Sequence, residues 1–218
     1  MARTRAATYD DQREHILAQA AALFAHQGYP GTSMNQVAAA CGVSKATLYH
    51  YMRDKAELLA QIAQSHVGRL EALVAEVAAQ PLPAEERLRM LITRFVREYA
   101  DAQHHHRVLT EDVKFLEPAA QRQVLDGQRR VVTAFARTLA EVRPALAEQQ
   151  LAKPLTMLLF GMINWMFTWL KPGGALNHDM MAPLVSDLFL GGLHAVQAPA
   201  AATAAPFSPP IHPTETAR

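Results

Sequence analysis

Apolar residues recur at intervals of three and four along almost the whole chain, and no run alternates between polar and apolar for long enough to make a strand. The pattern predicts an all-α fold of about nine helices. Ile16, Ala20, Leu23 and Phe24 mark the apolar side of a first helix, which Asp10 or Asp11 can cap and which HQGYPG (26–31) ends. Thr32 or Ser33 opens a very short second helix to about residue 40. Gly42 breaks the chain there, and Ser44 caps a third helix that runs to about residue 52. Asp54 and Glu57 have the spacing of a capping box for a long fourth helix ending near residue 80. Further helices are expected over 84–102, 107–116, 118–142, 148–170 and 179–196, with PALAEQ (144–149) and KPGGALNHD (171–179) as joints.

The apolar content shifts near Glu57. It divides a small N-terminal unit of three short helices (1–56) from a larger helical unit (57–198), and the fourth helix is shared between them. Residues 199–218, PAAATAAPFSPPIHPTETAR, are rich in Ala and Pro and offer little to bury, so a disordered tail is expected. Half of the 218 residues are hydrophobic, which excludes a disordered chain, and 21 Lys and Arg against 20 acids leave a net charge of +1. Attraction to a polyanion must therefore be local. One cysteine cannot form an internal disulfide, and the N-terminus lacks the apolar core of a signal peptide, so the expected location is cytoplasmic. The most apolar run, residues 155–170, is short for a bilayer span and contains Asn164 and Thr168, so no membrane partner is expected.

The segment CGVSKATLYHYMRDK (41–55) concentrates polar and aromatic side chains on a helix too short to carry its own core. Helix, tight break at Gly42 and second short helix form a helix-turn-helix by spacing alone. Leu48 and Met52 share one side with Val43 nearby, and that side must face the first two helices. Lys45, Ala46, Tyr49 and His50 then point outward together, flanked by Thr47 and Tyr51. This surface suits a DNA major groove. Lys45 can reach guanine acceptors or a phosphate, Ala46 and Thr47 can meet a thymine methyl, and tyrosine hydroxyls can bond phosphates. Ser33 with the amides of the second helix, and Lys55 with the start of the fourth, can each hold a phosphate.

The run ALFAHQGYPGTSMNQVAAACGVSKATLYHYMRDKAELL (22–59) resembles the DNA-binding domain of TetR-family one-component transcriptional regulators. The resemblance rests on Phe24, Gly28, Thr32, Val37, Ala38, Gly42, Val43, Ser44, Leu48, Tyr49, Lys55 and Leu58. Ala46 stands where many members have glycine, Met52 where most have phenylalanine, and Cys41 where alanine is common. The resemblance implies that Ser33, Lys45, Thr47, Tyr49, Tyr51 and Lys55 lie where members touch operator DNA; His50 joins them on the helical wheel alone. It also implies a homodimer through the last two long helices. The chain supports this independently. Leu158, Met162, Trp165 and Trp169 form one stripe of the helix over 148–170, and Leu159, Ile163, Met166 and Leu170 form another, so one stripe can face the core and the other needs a second surface. Gly161, Gly191 and Gly192 would allow close approach, and Leu184, Leu188 and Phe189 add apolar area.

The middle helices carry candidates for a small-molecule effector site: Phe95, Tyr99, Leu109, Val113, Phe115, Phe135 and Leu139, joined by Met162, Trp165 and Met166, with Arg94, Arg97, Arg107, Lys114, Arg122, Arg129 and Arg130 as flanking cations. An apolar pocket with arginines nearby suits an acyl- or aryl-CoA thioester. The segment GMINWMFTWLKPGG with DLFLGG is similar, more loosely, to the ligand domains of TetR repressors answering to acyl-CoA esters, phenylacetyl-CoA among them. The alternative effector is a lipophilic drug or other small aromatic molecule controlling an efflux pump; acids such as Glu98, Asp101, Glu111 or Asp112 at the cavity would favour a cationic drug. Of His104–His106, only His105 pairs with Asp101 one turn away, so one two-ligand pair is supported on this helix and a solvated, helix-terminal histidine cluster is expected rather than a metal site. No cofactor motif occurs. The chain also lacks a G-x-S-x-G elbow, a Gly-rich phosphate loop and H-E-x-x-H, which argues against an enzyme.

Overall fold

The computed structural model describes residues 2–170 and 174–197, with side chains from residue 9 onward. Among these residues there are ten α-helices and no strand. The small unit comprises α1 (Ala2–Gln27), α2 (Met34–Ala40) and α3 (Lys45–Tyr51). The larger comprises α4 (Lys55–Ala78), α5 (Ala84–Asp101), α6 (Gln103–Glu111), α7 (Pro118–Val142), α8 (Ala145–Glu148), α9 (Ala152–Asn164) and α10 (His178–Ala195). Residues 199–218 lie outside the described residues.

Local chemistry sets most of the boundaries. Ser33 caps α2 in a full capping box with Gln36, and Ser44 caps α3 by accepting from the Thr47 amide at 3.0 Å. Asp54 caps α4, its carboxylate accepting the Glu57 amide at 2.8 Å, while the Glu57 carboxylate takes the Arg53 amide at 2.7 Å. Gly42 sits at φ +65°, where a side chain would clash with its own backbone. Its turn sets the angle between α2 and α3.

Four boundaries differ from the sequence expectation. The first helix begins at Ala2 instead of Asp10 or Asp11, because ARTRAAT contains good helix formers and no breaker. The helix expected over 107–116 starts earlier, as α6, and ends in a 3₁₀ turn over Val113–Phe115. PALAEQ is not a bare joint: Ala, Leu and Glu wind one turn, α8. The helix expected over 148–170 is α9 followed by a 3₁₀ turn over Met166–Thr168. Pro154 lies in the first turn of α9, where its missing N–H has no helical partner to lose.

Helix α4 runs through both units. Its start packs on α1, and its remainder packs on α5, α6 and α7. Helix α5 lies between α7 and α10, and α7 also packs on α9. The core centres on Phe95, Phe135 and Phe160, whose ring centroids lie 4.8 to 6.0 Å apart. Where α4 crosses α7, Gly127 permits close contact: a Cβ there would come within 2.3 Å of Val67. A contact the sequence does not suggest is that of α6 with α1, which joins the two units a second time.

Candidate functional site

Two places in the molecule concentrate chemistry. The first is the outer side of α3. Leu48 and Met52 are fully buried and Val43 packs partly against them, so Lys45, Ala46, Thr47, Tyr49 and His50 are all left exposed. Lys45 Nζ lies 5.8 Å from the Tyr49 ring one turn on, holding its charge over the same face. The Thr47 hydroxyl is 2.8 Å from that of Ser44, which turns its methyl outward. Tyr51 is half-buried and stacks on Tyr9 of α1 at 4.6 Å, with His50 set edge-on to both rings. Tyr9, itself exposed, thereby joins this face. The apolar periodicity of α1 gave no sign of it, because Tyr9 meets α3 and not the core.

Ser33 is exposed beside this face, but its hydroxyl donates to Gln36 Oε1 at 2.8 Å and accepts the Gln36 amide. Lys55 does not extend toward a phosphate, as the sequence suggested. Its ammonium donates to the carbonyls of Tyr29 and Thr32 at 2.9 Å each, and sits 4.4 Å from the Tyr29 ring. The loop after α1 presents several carbonyls to one point, and three N–H donors satisfy them. Lys55 is a clamp that fixes this loop to α4. On its other side the Tyr29 ring stacks on Phe115 at 5.5 Å, and the nearly buried Asp112 accepts a hydrogen bond from the Tyr29 backbone. Burial pushes the Asp112 carboxyl upward from its ordinary value. Phe115 is thus part of the junction between the units and not of a ligand pocket.

The second place is a cavity of about 180 Å³ between α4, α5, α6, α7 and α9. Val67, Leu70, Leu109, Val131 and Phe160 give it an apolar wall, and Tyr99, His106, Thr110 and Gln128 are its polar residues. It adjoins an open groove of about 760 Å³ between α7 and the α8–α9 segment. Gln128, Val132 and Met157 line both, so Met157, half-exposed, stands at the mouth. Arg129, Arg137 and Lys153 line the groove. Arg129 is paired with Asp126, whereas Arg137 and Lys153 make no ion pair among the described residues.

The N-terminal region matches the model of the bacterial regulatory proteins of the tetR family over residues 16–62, and residues 81–193 match the tetracyclin repressor-like C-terminal domain. The chain belongs to the TetR family. A TetR-family transcriptional regulator from Bordetella parapertussis has a solved structure that aligns at 33% identity with a TM-score of 0.78, over 86% of this chain and 98% of that one. The transcriptional regulator AcrR of Shigella flexneri is 36% identical over 74 residues, 33% of this chain and 34% of AcrR, so the chain spans about a third of that curated relative. The structure of AibR in complex with isovaleryl coenzyme A and operator DNA shares the fold at a TM-score of 0.70 and 23% identity, over 81% of this chain and 97% of that one. As a member of this family the chain is a regulator and not an enzyme.

Within this TetR-family fold, the ligand residues expected from sequence separate into four groups. Tyr99 and Leu109 line the cavity. Phe95 and Phe135 are fully buried behind it, in the aromatic core. Arg94 and Arg107 lie elsewhere, paired with Glu76 of α4 at 2.7 Å and with Glu111 on the next turn of α6 at 3.2 Å. Met162, Trp165 and Met166 line a different, outward groove between α9 and α10. What replaced them, His106, Thr110, Gln128 and Met157, lay outside a search for aromatic residues. Nor do Glu98, Asp101, Glu111 or Asp112 line the cavity.

The histidines are not a solvated cluster. His104 meets His26 of α1 edge-on at 5.2 Å, His105 is half-buried near His66, and His106 is 3% exposed with its ring stacked on Tyr99 at 3.6 Å. Tertiary contact with α1, α4 and α5 buries the three. Among the described residues no group of three or more His, Cys, Asp or Glu is arranged to hold a metal.

The two stripes expected on α9 separate cleanly in this TetR-family chain. Leu159, Ile163, Met166 and Leu170 are buried, while Leu158 (64% exposed), Trp165 (65%) and Trp169 face outward and Met162, expected with them, is half-buried against the core. On α10, Met180, Leu184 and Leu188 (69%) extend the same outer face. Phe189, expected there, turns into the core instead, packed where α10 meets α5. No helix among the described residues is long and apolar enough to cross a membrane.

Proposed function

We propose that the protein is a ligand-responsive transcriptional repressor, which binds a palindromic operator as a homodimer and leaves it when an acyl- or aryl-CoA thioester such as phenylacetyl-CoA binds. The observation that carries the effector reading is a small, largely apolar cavity that adjoins a larger groove carrying cations, with Gln128, Val132 and Met157 lining both. A thioester has this bipartite chemistry: an apolar acyl group, then a long polar arm ending in phosphates. The acyl group enters the cavity and the phosphates meet Arg129, Arg137 and Lys153. Volume narrows the acyl class. About 180 Å³ is close to the ~150 Å³ at which an apolar cavity accepts benzene, so a short branched or aryl group fits and a long chain does not. The AibR structure, with isovaleryl coenzyme A and operator DNA on this fold, supports the same class. A cationic drug finds no carboxylate on the cavity wall, which disfavours the cationic form of the efflux alternative.

The exposed side of α3 supplies the DNA contacts, with Lys45, Ala46, Thr47, Tyr49 and His50 toward base edges and phosphates. The outer apolar face of α9 and α10 supplies the dimer contact, since exposed tryptophans and leucines at this density mark a protein interface. Two-fold symmetry then sets two copies of α3 about one helical turn of DNA apart, roughly 34 Å. Fluorescence anisotropy with DNA from upstream of its own gene tests both halves. Lys45→Ala with Tyr49→Phe should weaken binding at least tenfold, and phenylacetyl-CoA should release wild-type protein while oleoyl-CoA and a cationic dye do not. Release by the dye alone would replace the thioester reading with the efflux alternative.

A further inference from the structure

One residue that lines the cavity carries a buried polar atom without a partner. His106 Nε2 is out of contact with solvent and makes no hydrogen bond. A buried imidazole nitrogen left unsatisfied is unfavourable, so on a residue that lines a cavity it invites a ligand group that completes it. The ring itself is held firmly. It stacks on Tyr99 at 3.6 Å, with an interplanar angle of 19°, and Phe167 closes on it edge-on at 6.1 Å.

Which kind of ligand group it wants follows from the hydrogen bonds behind it. Arg69 Nη2 lies 3.3 Å from His66 Nδ1, and a guanidinium can only donate. The Glu98 carboxylate is farther from that nitrogen, 3.7 Å, and is occupied by Arg69 Nε at 3.0 Å. His66 Nδ1 is therefore the acceptor, and the single proton of the neutral His66 ring sits on Nε2. Nε2 faces His106 Nδ1 at 3.5 Å and donates to it. His106 must then carry its own proton on Nε2, since a neutral imidazole has one N–H and its Nδ1 is accepting. Burial holds both rings neutral, His106 down to about 4 and His66 lower still. The tautomers are thus fixed in series from the surface arginine to the cavity.

We infer that His106 Nε2–H is a hydrogen-bond donor that selects effectors carrying a carbonyl oxygen next to the acyl or aryl group, which in the proposed ligand class is the thioester carbonyl. This rests on the thioester reading above and assigns the polar contact within it. An apolar hydrocarbon of the same shape fills the cavity but leaves the N–H orphaned. A free carboxylate would also accept the proton, but it would bring an unpaired charge into a cavity lined by neutral groups.

Isothermal titration calorimetry on the full chain tests this with phenylacetyl-CoA, its thioether analogue 2-phenylethyl-CoA (a CH₂ in place of the carbonyl) and free phenylacetate. The thioester should bind wild-type protein about tenfold more tightly than the thioether. In His106→Leu that preference should vanish, through weaker thioester binding and unchanged thioether binding, a pattern that general destabilisation would not produce. The wild-type comparison stands even if the variant does not fold. Equal binding of the two CoA compounds to wild type would overturn the His106 assignment while leaving the thioester reading in place. A preference retained in His106→Leu would overturn it too. If neither CoA compound binds and phenylacetate does, both readings fall.

Discussion

His66 and His106 lie side by side between α4, α5 and α6, and neither reaches water. Their neutral rings suit the hydrogen bonds they make, but neutrality carries a pH dependence. In the unfolded chain each histidine takes up a proton near pH 6.5, whereas His106 in the folded chain does so only at about 4 and His66 lower. Below pH 6.5 the unfolded state therefore binds more protons, and stability must fall as the pH falls. The loss is about 1.4 kcal/mol per pH unit for each group between the two values. Urea unfolding followed by circular dichroism should show a midpoint that is flat above pH 7 and drops steeply from pH 6 toward 4.5, and His106→Leu should lessen that slope. A midpoint independent of pH across this range would mean that the rings are not held neutral. These residues also show a limit of sequence reading. The HHH triplet was conspicuous, yet its meaning depended on α4 supplying His66 and α5 supplying Tyr99, partners 40 and 7 positions away from His106.

Among the elements, α9 and α10 illustrate the opposite case. The division of α9 into two apolar stripes is fixed by the helical period, and the solved side chains follow it: one stripe at the core, the other in the open. Leu158, Trp165, Leu184 and Leu188 leave a contiguous apolar surface that a second copy would cover. Leu188→Glu sets a charge in the middle of that surface, while its helix stays packed on α5 through Val185, Phe189 and Leu193. Sedimentation velocity should report a folded monomer at concentrations where the wild-type chain is a dimer, with an unchanged helical circular dichroism signal. An intact Leu188→Glu dimer would place the interface elsewhere. The period of α10 was less informative. It left Phe189 and Leu188 as equivalent apolar neighbours, and only the packing of α5 decided which of them turned inward.

At the scale of the whole molecule, two chains of contacts connect the cavity with the small N-terminal unit. Helix α4 begins beside α3 and carries Val67 and Leu70 to the cavity. Helix α6 carries His106, Leu109 and Thr110 on the cavity wall and packs on α1; the turn after it presents Phe115 to Tyr29, whose backbone carbonyl Lys55 holds. A ligand that shifts α6 thereby moves the loop that sets α1 against α2. For release it must favour the DNA-incompetent arrangement, and a tenfold change in DNA affinity needs about 1.4 kcal/mol of such preference. Phe115→Ala removes the stacked ring from the junction without touching the cavity or α3. Operator titrations with and without effector should then show both affinities within about threefold of wild type, but a coupling between them reduced from tenfold or more to less than threefold. Undiminished coupling would assign transmission to α4 alone.

The sequence by itself determined the local and the periodic: the helical class, the caps at Ser33, Ser44 and Asp54, the turn at Gly42, and which side of α3 and α9 turns outward. Each depends on residues within a few positions of one another, where spacing and hydrogen-bonding chemistry suffice. Tertiary structure decided the cavity. Its wall draws on five helices, and arginines that looked available to it, Arg94 and Arg107, found carboxylates instead. It also decided that Lys55 binds carbonyls and that His106 is buried with an unpartnered Nε2, because a polar group's role is set by which partners the packing brings within 3 to 4 Å, and no one-dimensional pattern encodes those partners.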